Sequence, residues 1–274
     1  MLRKLQSFLI HNPFPLRTAV KKLIHHLKIG SYDKRVKLGA VDRPHYGYCI
    51  YNAAVLARKL GYTRISVIEF GVAGGNGLIN LEYHAGEIKK SLGVEIDIYG
   101  FDTGEGLPDP VDYRDLPYNW KKGFYKMDVP ALEAKLKKSR LVLGNIRDTY
   151  KDFFQRYEPA PIGAIMYDFD FYSSTADAFK MLEADEKYFL PRVYCYFDDT
   201  IGTETELYND FTGVRLAINE FNQTHSAIKF GLPYHLLTRI IKSPWYYKIW
   251  ITHFFSHSRY NDFISEENQQ LPCQ

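Results

Sequence analysis

Residues 64–83, RISVIEFGVAGGNGLINLEY, constrain the chain more than any other stretch. The β-branched Ile65, Val67 and Ile68 suit a buried parallel strand that Glu69 ends. Gly71, Gly74, Gly75 and Gly77 follow, and a backbone this rich in glycine can turn sharply and approach a ligand closely. An apolar pattern of helical period then opens near Asn76. Strand, glycine turn and helix make either a ligand cradle or a plain tight connection, and what lies downstream decides between them.

Two such features lie downstream. The second strand, 96–101, ends in Asp102, 27 residues beyond Gly75, a little longer than the roughly 20 of a dinucleotide fingerprint. In a doubly wound sheet that carboxylate sits beside the glycine turn and can accept both hydroxyls of a ribose. The fourth strand, 163–167, leads into Asp168-Phe169-Asp170, and the fifth, 193–197, into Asp198-Asp199. Open α/β sheets bind ligands beyond the carboxyl ends of their strands, so four carboxylates converge on one crevice. Two such charges about 4 Å apart repel by about 4 kcal/mol at an effective dielectric of about 20, so the set calls for a cation or a shared proton. All-oxygen ligation selects a hard ion, Mg²⁺ first and Ca²⁺ or Mn²⁺ behind it. The plainer reading makes these acids helix caps and turn residues.

The rest of the chain is arranged around this sheet. With 274 residues, 46% hydrophobic, it suits one sizeable core with a small appendage. The expected divisions are a basic helical cap at 1–45, the main domain at 46–264 and a flexible tail at 265–274. Net charge is only +3, which calls for no nucleic acid, yet residues 1–30 hold six Lys or Arg and no acid. Asn12-Pro13-Phe14-Pro15 separates two helical candidates there. In the second, Leu16, Val20, Leu23, Ile24 and Leu27 recur at helical spacing among Arg17, Lys21, Lys22 and Lys28. It reads as a cap packed on the main domain or a contact between copies in a homo-oligomer, with peripheral membrane contact as the alternative.

Helices are expected over 46–60, from Asn76 to about residue 92, and over 131–138, 148–157 and 214–222. A short third strand is expected at 141–143. Residues 109–130, rich in Pro and Tyr and without periodicity, read as a substrate-side lid. Two β-rich runs, 234–241 and 245–254, joined by Lys242-Ser243-Pro244, read as a terminal antiparallel hairpin. Cys49, Cys195 and Cys273 are odd in number and far apart, against a disulfide framework or zinc knuckle. No run reaches bilayer length and no signal-peptide pattern opens the chain, so the expectation is cytoplasmic.

Taken together, the strand ending in Glu69-Phe70-Gly71-Val72-Ala73-Gly74-Gly75, Asp102 closing the next strand and the terminal hairpin resemble a class I S-adenosylmethionine-dependent methyltransferase. The phrases FDTGEGLP at 101–108, DFDFYSST at 168–175 and FDD at 197–199 are similar to the macrocin O-methyltransferase (TylF-like) type, over about residues 64–222. The resemblance implies a Rossmann-like, doubly wound, mostly parallel sheet. It also implies methylation of a sugar or other vicinal-diol hydroxyl on a small molecule or glycan, with S-adenosylmethionine and Mg²⁺. Glu69, Phe70, Gly71, Val72, Gly74, Gly75 and Asn76 would hold the amino-acid part of the cofactor. Asp102, with Thr103 beside it, would take the ribose, and Asn145 and Ile146 would border the adenine. Asp168, Asp198 and Asp199 would bind the metal, Asp168 also facing the cofactor, and Asp170 would be the general base. The chain departs from the pattern at Phe169, Phe171 and Ser173, where Gly, Leu and an acid are usual, and these changes crowd the acceptor side.

Two rivals remain. A Mg²⁺-dependent phosphohydrolase accounts for the acids but not for Glu69, the glycine turn or Asp102, and would want Thr or Val at Tyr172. A catalytically inactive membrane-surface or scaffold protein would leave the acids without use.

Overall fold

The computed structural model describes residues 14–240 and 242–270. Among them, β1 (Arg64–Phe70), β2 (Glu95–Asp102), β3 (Arg140–Leu143), β4 (Ile162–Tyr167), β5 (Phe189–Phe197), β6 (Ile228–Gly231) and β7 (Ile249–Phe254) form one sheet in the order β3-β2-β1-β4-β5-β7-β6. The first five strands run parallel, and β7 lies antiparallel between β5 and β6. The chain winds outward from β1 to β3, then returns to place β4 on the other side of β1. That reversal opens a crevice beyond the carboxyl ends of β1 and β4.

Both faces of the sheet are covered, which is why β1 and β4 are buried almost throughout rather than alternating. Ile65 and Val67 pack under α3 (Pro44–Lys59) and α4 (Asn76–Leu92), with Cys49, Ala53, Leu56, Leu81 and Ile88. Ile68 and Phe70 face α6 (Ile146–Tyr157), α7 (Tyr172–Phe179) and α8 (Gly213–Thr224), with Phe153, Phe179, Val214 and Phe221. The period-2 alternation of a strand thus sorts one apolar run into two cores. Asn145 caps α6, its side chain accepting from the Arg147 N–H at 3.0 Å.

Three local expectations need correction. The terminal antiparallel pair is present, but its first strand is residues 228–231. The run predicted at 234–241 instead begins with a short helix, α9 (Tyr234–Leu237), and residues 244–248 form a 3₁₀ turn. Leu236 is buried as one anchor of that turn of helix, which overrides the β preference of its neighbours. The short helix expected at 131–138 is α5 (Val129–Glu133), started by Pro130 and capped by Asp128. At the N-terminus, α1 (Phe14–His26) includes Pro15 in its first turn, where a missing N–H is harmless. The helical candidate ahead of Asn12 lies outside the described residues. After α1 comes α2 (Tyr32–Leu38), whose Arg35 is buried against Glu87 at 2.8 Å. No helix among the described residues is long and apolar enough to cross a membrane.

Candidate active site

A cavity of about 310 Å³ opens at the crevice. Gly71, Ala73, Asp102, Thr103, Asn145 and Ile146 line one part of it. Asp168, Phe169, Asp170, Asp198 and Asp199 line another, and Leu107, Trp120, Tyr125 and Glu206 close the far side. The cavity therefore gathers Gly71, Asp102, Thr103, Asn145, Ile146 and all four strand-end acids from the residues singled out in the sequence.

The glycine turn is shaped by close approach. Gly71 has φ +78°, and a Cβ there would lie 1.7 Å from the Asp168 carbonyl oxygen, so only glycine lets β1 leave the sheet against β4. Gly75 has φ +77° and begins α4, where a Cβ would meet Leu132 at 2.0 Å. Gly74 faces open space.

Six of the expected cofactor residues do not line the cavity. Phe70 and Val72 are buried, Gly75 turns the chain, and Gly74 and Asn76 are exposed. Glu69 is 2% exposed beneath the turn. Its Oε1 accepts from the Tyr46 hydroxyl at 2.6 Å, while Oε2 has no partner among the described residues. Burial pushes its carboxyl up to about 7 against the opposing pull of Tyr46 and Arg43.

Asp102 clamps two loops together. Oδ2 accepts from the N–H groups of Val72 and Ala73 at 2.9 Å each, and Oδ1 from that of Gly104 at 2.7 Å. A carboxylate has about four acceptor positions, so this clamp leaves room for one further donor from the cavity.

At the other end, Asp168, Asp198 and Asp199 each offer an oxygen within 4.8 Å of the others. The Asp170 N–H donates to Asp199 Oδ2 at 2.9 Å, which holds Asp170 in the left-handed conformation at φ 60°. Tyr196 donates to Asp198 Oδ1, Lys248 approaches the same oxygen at 3.2 Å, and Tyr208 donates to Asp199 Oδ1 at 3.2 Å. Burial first, then repulsion from Asp199, raises the Asp168 carboxyl well above the carboxylate range and that of Asp170 to about 10. Burial and Asp198 raise Asp199 to about 6. An all-oxygen donor set that repels itself this strongly fits a hard divalent cation, whose charge would oppose each of these shifts. His45, stacked on Tyr196 with ring centroids 4.3 Å apart, is held neutral by burial and by Arg43, its pKa lowered to about 3.

The segment 109–130, expected to be a lid, is tied down by a residue the sequence reading passed over. Asp115 is 1% exposed and accepts from the Val111 N–H at 2.8 Å, the Ser173 N–H at 2.8 Å and the Ser173 hydroxyl at 2.9 Å. Leu116, Trp120 and Phe171 cluster above it, with Leu107 and Tyr208 alongside. The departures at Phe171 and Ser173 thus both contact the 109–130 segment. Phe169 lies along Phe70, ring centroids 5.1 Å apart, and borders the cavity. Tyr46, Tyr196, Tyr208 and Lys248 were also missed. Of these only Tyr196 carried a usable signal, two positions before Asp198 on one face of a strand.

No family model matches the chain, and no curated protein matches it. Solved structures do. The crystal structure of CalS11, calicheamicin methyltransferase, is 19% identical with a TM-score of 0.52, over 92% of this chain and 91% of that one. The O-methyltransferase NovP is 14% identical with a TM-score of 0.51, over 77% of this chain and 79% of that one. At such identities the likeness is one of fold, and the chain has the Rossmann-like α/β fold of these methyltransferases.

Proposed function

We propose that the chain is an S-adenosylmethionine-dependent O-methyltransferase that uses a divalent cation and acts on a hydroxyl of a sugar or another vicinal diol, on a small molecule or a glycan. One observation carries the reading: the glycine turn with Asp102 and four strand-end carboxylates border the same cavity. The names of the two proteins of like fold, a calicheamicin methyltransferase and an O-methyltransferase, support it.

In this reading the cofactor lies along Gly71, Asp102, Thr103, Asn145 and Ile146, and the cation is held by Asp168, Asp198 and Asp199. When bound, the cofactor supplies an electrophilic methyl group and the cation lowers the pKa of a hydroxyl it coordinates. Transfer is an in-line displacement that needs chiefly positioning and removal of the acceptor proton. Asp170, fixed by its N–H to Asp199 and ionised once the cation's charge offsets the repulsion from Asp199 and Asp168, would take that proton. Asp102 keeps both cofactor-side loops closed around the donor. Phe169, Trp120, Tyr125 and Leu107 exclude water and offer apolar walls to the C–H faces of a sugar ring.

Equilibrium binding of S-adenosylmethionine, followed by transfer of a labelled methyl group to glycan and small-molecule extracts with and without Mg²⁺, tests the proposal. Binding and metal-dependent labelling are expected. Failure to bind the cofactor at millimolar concentration would overturn it in favour of metal-dependent hydrolysis.

A further inference from the structure

Helix α1 is packed with its leucines outward. Leu23 and Leu27 follow Leu16 by seven and eleven positions, which at about 100° per residue puts all three within about 20° of one line. The Leu27 N–H still donates to the Leu23 carbonyl at 2.9 Å, so Leu27 continues the helical turn. These side chains are 43%, 53% and 58% exposed, while Ile24, on another side of the helix, is 4% exposed and faces the domain. Arg17 and Lys21 are half-buried on that inner side. A helix that folded only to cap its own domain would bury the leucines and leave the cations in water.

The surroundings name the occupant. Residues 14–30 contain Arg17, Lys21, Lys22 and Lys28 and no acid. Asp42, which reaches α1 from beyond it, is matched to His25 at 3.2 Å. Two copies meeting through this face would set cation against cation, whereas a bilayer carrying anionic headgroups takes leucines into its acyl boundary and neutralises the flanking lysines. We propose that α1 is a docking surface for an anionic lipid membrane, lying flat in the interface with Leu16, Leu23 and Leu27 inserted. The inference stands apart from the chemistry of the cavity, so either can fail without the other.

Sedimentation of the full-length protein with phosphatidylcholine vesicles, with and without phosphatidylserine, tests it. The protein is expected to sediment with the anionic vesicles and to remain in solution with the neutral ones. Leu23→Glu with Leu27→Glu should weaken partitioning by about tenfold or more, from the transfer energy of two leucines. Lys22→Ala should weaken it by about fivefold, and raised salt should mimic that loss. Both changes fall on exposed positions, so melting temperatures should match the parent. Lys22→Ala and the salt series keep the test decisive if the double variant misfolds. Binding that ignores lipid charge, no vesicle binding by the parent, or equal binding by parent and double variant would overturn the proposal. So would a lipid-free dimer that the double variant dissolves, which would give this face to a second copy.

Discussion

Replacing Glu69 by Gln should stabilise the fold in alkaline solution relative to acid. Burial raises the Glu69 carboxyl from 4.5 to about 7, with Tyr46 and Arg43 pulling the other way. The unfolded chain releases this proton at the ordinary carboxylate value, so between the two values the native state binds more protons than the unfolded one. Stability therefore falls as pH rises: the contribution is fully present below 4.5 and is lost once pH passes 7. The gap is worth about 3.5 kcal/mol, at about 1.4 kcal/mol per unit. Gln is neutral throughout and its carbonyl can still accept from Tyr46, whose hydroxyl meets Oε1 at 2.6 Å in the parent. The stability difference, variant minus parent, should grow in favour of the variant by about 2.5 kcal/mol between about pH 5 and about pH 8. Urea denaturation of both proteins across that range measures it, and titrating groups that do not interact with Glu69 cancel in the difference. A difference that does not change with pH would refute the reasoning, because Glu69 would then have the same pKa folded and unfolded. The same variant separates two roles for Glu69: a loss of cofactor affinity would mean that its charge reaches the ligand despite its burial.

Other outcomes follow from close contacts in the structure. Gly71→Ala should cost more than about 4 kcal/mol, because the new Cβ meets backbone at 1.7 Å in a left-handed conformation. Gly74→Ala, which faces open space, should stay within about 0.5 kcal/mol in the same thermal melt. Asp198→Asn should abolish Mg²⁺-dependent methyl transfer and weaken Mn²⁺ binding measured calorimetrically, with S-adenosylmethionine affinity nearly unchanged. Collapse of cofactor affinity in that variant would sink the division of the cavity into donor and metal ends. Asp115→Asn removes a charged acceptor from three part-buried donors and should cost about 1.5–3 kcal/mol. Hydrogen exchange should then quicken across residues 109–130 while β1 and β4 stay protected. Uniform quickening would mean that Asp115 holds the whole fold rather than the lid.

How far the fold could be read in advance depended on whether a segment's pattern was fixed by the sheet. The β1 run is apolar because both its faces are covered, and the turn after it needs glycine because Asp168 backbone stands where a side chain would go. Such signals survive in a single sequence. The first strand of the terminal pair was misplaced for the opposite reason. Ile228–Gly231 is a four-residue edge strand broken by Lys229, too short to show alternation, whereas residues 234–241 carry β-favouring residues in a segment whose shape is set by Pro233 and the burial of Leu236. The leucines of α1 showed their helical spacing clearly, but spacing identifies a face without saying which way it turns.

The acids at the strand ends were legible because topology alone delivers them to the crevice; the groups that steady them were not. Tyr46 reaches Glu69 from α3, Tyr208 reaches Asp199 from an irregular loop, and Lys248 reaches Asp198 from the turn before β7. Each of these contacts closes across sequence distance with no periodic signature. They also share a logic. Burial raises the pKa of Tyr46, Tyr196 and Tyr208, and the adjacent carboxylates raise it further, so all three phenols stay protonated and donate. A neutral donor fixes the position of a carboxylate without cancelling its charge. Lys248 pairs with Asp198, and the tyrosines fix the neighbouring carboxyl groups without neutralising them, while Asp102 at the other end already gives its oxygens to three backbone N–H groups. The cavity therefore has its hydrogen bonds nearly satisfied at the Asp102 end, and its acids held by neutral donors and only partly compensated by cations at the Asp198 end.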